Sequence, residues 1–233
     1  MNRRSRYRER NRNKNTIPLI AHHHPREIIS EQYRLIRTNI LFSSVDEEIT
    51  SIMVTSPEPA DGKSTTALNL SIVLAQQGKR VLLVDTDLRK PSIHYSFQAS
   101  NIVGLTNILT KETDLEGAIS NTFVPNLEIL TSGDIPPNPS ELLNSKAMEK
   151  LMQELENRYD YIVYDTPPVL AVTDAQIIAN RCDGVVMVVA SGKTHKERAL
   201  RAKELLEKAK SRILGVVVNG VESKKTEYYR QYS

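Results

Sequence analysis

Short apolar runs recur along the chain, and stretches with helical spacing separate them. Ser51–Thr55, Arg80–Asp85, Asn126–Thr131, Tyr161–Asp165, Gly184–Ala190 and Ile213–Val218 read as strands. The run Arg80-Val-Leu-Leu-Val-Asp85 is continuously apolar inside its polar ends, as expected of a strand buried on both faces. Helical patterns fall between these runs: Ser64–Gln77, Leu105–Thr110, Leu115–Ser120, Asn138–Asn157, Thr173–Asn180 and His195–Lys210. Pro139 stands where the first helical N–H is expendable. Upstream, Tyr33, Ile36, Ile40 and Leu41 predict a helix from about Ser30 to Ser43, with Ser30 as its cap. Strands alternating with helices imply right-handed crossovers and an α/β fold with a doubly wound, mostly parallel sheet. The expected organisation is an arm over 1–27, one domain over 28–222 without internal repeats, and a tail over 223–233.

Ser56-Pro57-Glu58-Pro59-Ala60-Asp61-Gly62-Lys63-Ser64 joins the first strand to its helix. Strand, loop, Gly-Lys-Ser and helix is the context of a phosphate-binding P-loop. Pro59, Ala60, Asp61, Gly62, Lys63, Ser64 and Thr65 are its candidate nucleotide ligands. Backbone N–H groups at the helix start attract anions. Lys63 suits the terminal phosphates, and the Ser64 hydroxyl suits Mg²⁺. The loop is irregular, because Pro57 stands where glycine is usual. Ser191-Gly192-Lys193-Thr194 resembles the end of a P-loop but follows its strand at once, so no second nucleotide site is expected.

Two later strands end in carboxylates: Val81-Leu-Leu-Val-Asp85-Thr-Asp87-Leu-Arg89 and Tyr161-Ile-Val-Tyr-Asp165. With the P-loop they place three motifs at strand C-terminal ends, where open α/β sheets bind ligands. An apolar strand ending in Asp suits a carboxylate beside Mg²⁺. Asp85 and Asp87 lie two apart and share a face if the chain there is extended. One can serve the metal and the other accept a proton from an attacking hydroxyl.

Composition adds bounds. Apolar residues make up 39% and charged residues 25% of 233, as in an ordinary globular domain. No apolar run approaches the roughly 20 residues that span a bilayer, and no secretory signal is evident. The single cysteine, Cys182, excludes an internal disulfide and reads as structural. Together these features favour the cytoplasm. Residues 1–14 carry six Arg and one Lys against one Glu, without apolar periodicity, and read as a disordered basic arm. A solvated tail and a contact with the anionic membrane surface both fit it. Specific nucleic-acid binding fits less well, since only Tyr7 interleaves the charges. His22, His23 and His24 read as loop.

These motifs resemble the bacterial tyrosine kinases of capsule and exopolysaccharide operons, in the form of the separate cytoplasmic subunit. The similarity spans residues 28–225. It rests on Pro59 before Gly62-Lys63, on Asp85, Asp87 and Arg89 as D-x-D-x-R, and on the strand Tyr161–Asp165. The segments Gly133–Leu143 and Glu31–Arg37 match as well. The resemblance implies a P-loop NTPase fold related to ParA and MinD ATPases. It implies ATP and Mg²⁺ as cofactors, with Lys63 and Ser64 on phosphates and metal and with Asp87 and Asp165 in the metal environment. Asp85 becomes the base toward tyrosine, and Arg89 steadies the acids or the substrate. Asn219 fits either adenine or a turn before Gly220. Ala60 departs from the family, which usually has glycine there. Glu31, Arg34 and Arg37 follow the family's E-x-x-R-x-x-R pattern, which implies a ring-like homo-oligomer. From spacing alone the same helix face allows an intrahelical ion pair worth about 0.3 kcal/mol.

Three of the nine tyrosines, Tyr228, Tyr229 and Tyr232, fall in the last six residues. The polar stretch Glu222–Ser233 has no core-forming pattern and reads as a flexible tail. In the resembled family such a cluster is the autophosphorylation target. The expected activity is phosphorylation of that tail in trans and of cytoplasmic proteins. The resemblance further implies a membrane adaptor, whose cytoplasmic tail activates the kinase and which holds it at the inner face of the cell membrane. The competing readings are a ParA/MinD-like ATPase, whose extra P-loop lysine is missing near Pro57 and Glu58, and a non-catalytic nucleotide-gated scaffold for polysaccharide export.

Overall fold

The computed structural model describes residues 16–43 and 48–221. A single sheet of seven strands forms the centre, in the order β3-β4-β2-β5-β1-β6-β7. Its strands are β1 (Ser51–Thr55), β2 (Val81–Asp85), β3 (Ile119–Asn121), β4 (Leu127–Leu130), β5 (Tyr161–Asp165), β6 (Gly184–Ala190) and β7 (Ile213–Asn219). All pair in parallel except β3, which runs antiparallel to β4. The doubly wound α/β expectation therefore holds.

The pleat sends alternate residues to two cores. Met53, Leu82, Val84, Ile162 and Tyr164 pack on one face, with α8 (Lys146–Glu156), α9 (Asp174–Ala179) and α10 (Lys196–Lys208). Ile52, Val54, Leu83 and Val163 pack on the other, against α3 (Lys63–Ala75). This helix is buried continuously from Thr66 to Ala75. A helix buried all round needs cover on its outer side, and α1 (Ile20–His23) and α2 (Ile28–Phe42) supply it.

That cover corrects the expected arm. Residues 17–22 do not continue a solvated segment but pack on the domain, while 23–27 are exposed. Leu19 and Ala21 are buried. The Ala21 N–H donates to Asn69 Oδ1 at 2.9 Å, and Asn69 Nδ2 returns a bond to the Pro18 carbonyl at 3.0 Å. His22–His24, read as loop, begins within the α1 turn, and the His22 ring lies 5.1 Å from that of Phe123. Ser30 is not the cap of α2, which starts two residues earlier. Its buried hydroxyl instead donates to the His24 carbonyl at 2.7 Å and ties α1 to α2.

Other elements differ in detail. The stretch from Asn138 to Asn157 is two helices, α7 (Pro139–Leu143) and α8. Ser145 caps α8 by accepting the Met148 N–H at 3.2 Å, which breaks the helical run. The pattern at Leu115–Ser120 is one turn, α6 (Leu115–Ala118), followed by β3. The remaining helices are α4 (Ile93–Phe97) and α5 (Leu105–Leu109). No helix among the described residues is long and apolar enough to cross a membrane. The basic stretch 1–14 and the tail tyrosines Tyr228, Tyr229 and Tyr232 lie outside the described residues.

Candidate active site

Parallel register assembles the site. Asp85 is directly opposite Asp165, and Val54, one residue before the end of β1, is also opposite Asp165. The P-loop and both acidic strand ends therefore meet at the C-terminal ends of the central strands.

The loop closes on its own polar groups. Ser56 Oγ donates to the Glu58 carbonyl at 2.7 Å, and the Glu58 N–H donates to Asp61 Oδ2 at 3.0 Å. Gly62 precedes α3 with φ of 101°, a conformation that L side chains rarely adopt. A Cβ there would lie 2.1 Å from Asn219 Nδ2. Asn219 donates that amide to the Asp61 carbonyl at 3.1 Å, so in this structure it clips the P-loop. Ala60 has φ of 62°, in the left-handed region. That accounts for glycine at this position in the resembled family and marks Ala60 as strained.

Lys63 turns back into the acidic cluster. Its Nζ lies 3.0 Å from Ser64 Oγ, 3.3 Å from Asp87 Oδ2 and 3.6 Å from Asp165 Oδ1. Burial works against the ammonium, but Asp165, Asp87 and Asp85 outweigh it and hold its pKa above the usual value. Asp85 is fully buried. Its Oδ1 accepts the Asp87 N–H at 3.2 Å, and its Oδ2 accepts those of Ser92 and Ile93 at 3.0 and 3.1 Å. Burial, and then the Asp165 charge, push this carboxyl up to about 7. Asp85 thus anchors the turn that carries Asp87 and Arg89.

Asp165 is fully buried, and beyond the Lys63 ammonium at 3.6 Å neither of its oxygens has a hydrogen-bond partner among the described residues. Buried orphan acceptors are rare and call for a cation or water. No three carboxylate, imidazole or thiolate groups form a metal cage among the described residues. Mg²⁺ needs none, since it retains waters and takes one or two carboxylates plus phosphate oxygens. Ser64, Asp87 and Asp165 fit that requirement.

Arg89 does not point at the acids. Its Nε donates to Asp174 Oδ2 at 2.9 Å, and its Nη2 reaches Asp174 Oδ1 at 3.2 Å and Ser140 Oγ at 3.1 Å. Ser140 in turn donates to Asp174 Oδ1 at 2.6 Å. Sequence reasoning missed Asp174, which read only as a helix start. A groove of about 560 Å³ adjoins Arg89, lined by Lys90, Ser92, Tyr95, Asp134 and Ile135 among others.

From the turn after β6, Lys193 Nζ reaches the P-loop and donates to the Pro59 carbonyl at 2.7 Å. On α2, Arg34 pairs with Glu31 within the helix and donates to the Pro25 carbonyl at 2.7 Å. Arg37 turns inward to the Val73 carbonyl at 2.7 Å, near the end of α3.

Residues 49–211 match the family described as AAA domain. Tyrosine-protein kinase YwqD of Bacillus subtilis (strain 168) is 52% identical over 214 residues, covering 92% of this chain and 90% of that protein. The crystal structure of the chimerical protein CapA2B2 is similar with a TM-score of 0.83 and 44% identity, over 86% of this chain and 88% of that one. The septum site-determining protein MinD of Pyrococcus horikoshii OT3, complexed with Mg-ADP, shares the fold at a TM-score of 0.64 and 24% identity, over 76% of this chain and 72% of that one. At the identity and coverage shared with YwqD, the chain belongs to the bacterial tyrosine kinases built on a P-loop ATPase fold.

Proposed function

We propose that this protein transfers the γ-phosphoryl group of ATP to tyrosine hydroxyls, those of Tyr228, Tyr229 and Tyr232 on another copy and those of other proteins. The observation that carries the reading is the in-register pair Asp85 and Asp165, with Asp87 and Lys63 beside them, at the mouth of the P-loop. Phosphoryl transfer needs positioning and charge stabilisation more than covalent chemistry by the protein.

The backbone N–H groups at the start of α3 face the phosphates. Ser64, Asp87 and Asp165 would hold Mg²⁺, which would supply positive charge against the phosphates. Lys63 then leaves the carboxylates for the terminal phosphates. The tyrosine oxygen bonds to the γ-phosphorus as the bond to the β–γ bridging oxygen breaks, and the phenolic proton passes to Asp85. A carboxyl held near 7 suits a proton acceptor at neutral pH. Both Asp85 oxygens are engaged by loop N–H groups, so the base role requires the 87–93 turn to shift when the acceptor enters. Arg89, held by Asp174 and Ser140, faces the side of the site where the groove offers room for a peptide.

The partners follow. The chimeric character of the similar CapA2B2 structure supports a second protein as adaptor, which would hold this chain at the inner face of the membrane. A ring of copies is supported by α2, which exposes Ile28, Ile29, Leu35 and Phe42 beside the Glu31–Arg34 pair. Arg37 enters that assembly through the position of α2, since its Nη1 is held by the Val73 carbonyl. Asn219, whose amide clips the Asp61 carbonyl at 3.1 Å, would contact the nucleotide from that side of the loop. The Asp85→Asn protein tests the chemistry: it binds ATP and fails to place phosphate on tyrosine. Unimpaired labelling removes Asp85 from the base role.

A further inference from the structure

The turn after β6 was set aside above as a nucleotide site, yet it is built to reach the P-loop. Thr194 Oγ1 accepts the Ala190 N–H at 2.8 Å, and Gly192 takes a φ of 69°. The Ser191 N–H donates to the Asn219 carbonyl at 2.8 Å, which fixes the turn against β7. This geometry throws Lys193 over the neighbouring end of β1. Its Nζ donates to the Pro59 carbonyl at 2.7 Å and lies 3.4 Å from Asp61 Oδ1.

The two contacts fall on either side of Ala60, the residue in the left-handed region. A left-handed alanine is strained and persists only where its surroundings impose it. The Asp61 side chain is fully buried, while that of Lys193 is half exposed. Asp61 Oδ2 accepts the Glu58 N–H, so Oδ1 faces the ammonium. Removing the ammonium leaves the buried Asp61 carboxylate uncompensated, which costs more than the half-exposed pair itself contributes. The geometry points to Lys193 as a positioning residue, one that pins Pro59 and Asp61 and so holds a P-loop without the usual glycine in its phosphate-binding form.

This inference rests on the reading that the loop binds nucleotide. Its test measures the affinity of the full chain for a fluorescent ADP analogue with Mg²⁺, in wild type, Lys193→Met, Lys193→Arg, Asp61→Asn and the Asp61→Asn/Lys193→Met double variant. Lys193→Met weakens binding about tenfold, and Lys193→Arg restores most of it. In the Asp61→Asn background the same change costs less than about threefold, because no buried charge is left unpaired. Amide hydrogen exchange over residues 57–62 of the nucleotide-free protein rises in Lys193→Met and not in Lys193→Arg. Equal affinity in wild type and Lys193→Met, or an equal loss in both Asp61 backgrounds, overturns the assignment. If wild type itself binds no nucleotide, the nucleotide reading fails, and the exchange comparison still decides the brace. Should Lys193→Met not fold, Lys193→Gln carries the same comparison.

Discussion

Replacing Lys63 by Met tests how the acidic cluster is balanced before nucleotide arrives. The ammonium is nearly buried and lies 3.3 Å from Asp87 and 3.6 Å from Asp165. Deleting it leaves buried carboxylates without their cation, a change that costs about 3–5 kcal/mol. At roughly 2–4 °C of melting temperature per kcal/mol for a chain of this size, the loss is roughly 6–20 °C. The lower part of that range is expected at neutral pH, because Asp85 sits near 7 and can relieve the cluster by taking up a proton. As pH falls and the carboxyls protonate, the gap to wild type should narrow. Excess Mg²⁺ without nucleotide should raise the melting temperature of the variant more than that of wild type, because the ion then fills the role of the missing ammonium. The assay is thermal unfolding followed by circular dichroism, at two pH values, with and without Mg²⁺. A variant that melts within about 2 °C of wild type would show that Lys63 does not compensate the acids in the free protein. An Mg²⁺ response equal in both proteins would show that the carboxylates are not the metal environment.

Other outcomes follow from single contacts. Ala60→Gly should stabilise the nucleotide-free protein by about 1 kcal/mol in urea unfolding, since it relieves a left-handed alanine. Tyr164→Phe should stabilise by a similar amount of about 1 kcal/mol, because the buried Tyr164 hydroxyl has no partner among the described residues; a loss would reveal an ordered water there. Asp174→Asn loosens the grip on Arg89 and should lower phosphorylation about tenfold while nucleotide affinity stays within about twofold; an equal loss in both would place Arg89 in nucleotide binding. Phosphates on the tail add roughly −1.5 to −2 charge each, so full phosphorylation should loosen the oligomer, and an unchanged mass by light scattering would contradict that.

Much of the architecture was legible because buried parallel strands have a strong signature. The runs at Ser51, Arg80, Tyr161 and Gly184 are continuously apolar, and each became a strand within a residue of its expected bounds. What the sequence did not reveal depends on single polar contacts or on partners distant along the chain. Strand β3 has only three residues, too few for a period to register. The break between α7 and α8 was available in Asn144-Ser145, a polar pair able to end one helix and cap the next. Residues 17–22 looked like part of the basic arm because their packing rests on Asn69 and Gln76, about 50 residues away. At the site, the three aspartates and Lys63 were recognisable by motif. Asp174, Ser140 and Lys193 were not, since each acts through a contact made by topology alone. The spacing of Glu31, Arg34 and Arg37 suggested one shared face, whereas Arg37 reaches into the fold.

The central claim is transfer of phosphate to tyrosine rather than to water. Full-length protein is incubated with Mg²⁺, γ-labelled ATP and a cytoplasmic adaptor peptide, and the products are mapped by mass spectrometry. The account predicts phosphate on Tyr228, Tyr229 and Tyr232, lost in the Asp85→Asn protein while ATP binding persists. Mixing an Asp85→Asn chain with a wild-type chain should label the inactive one, as transfer in trans requires. Free phosphate released with no phosphotyrosine would contradict the account and leave an ATPase on this fold, and neither product would leave a nucleotide-gated scaffold.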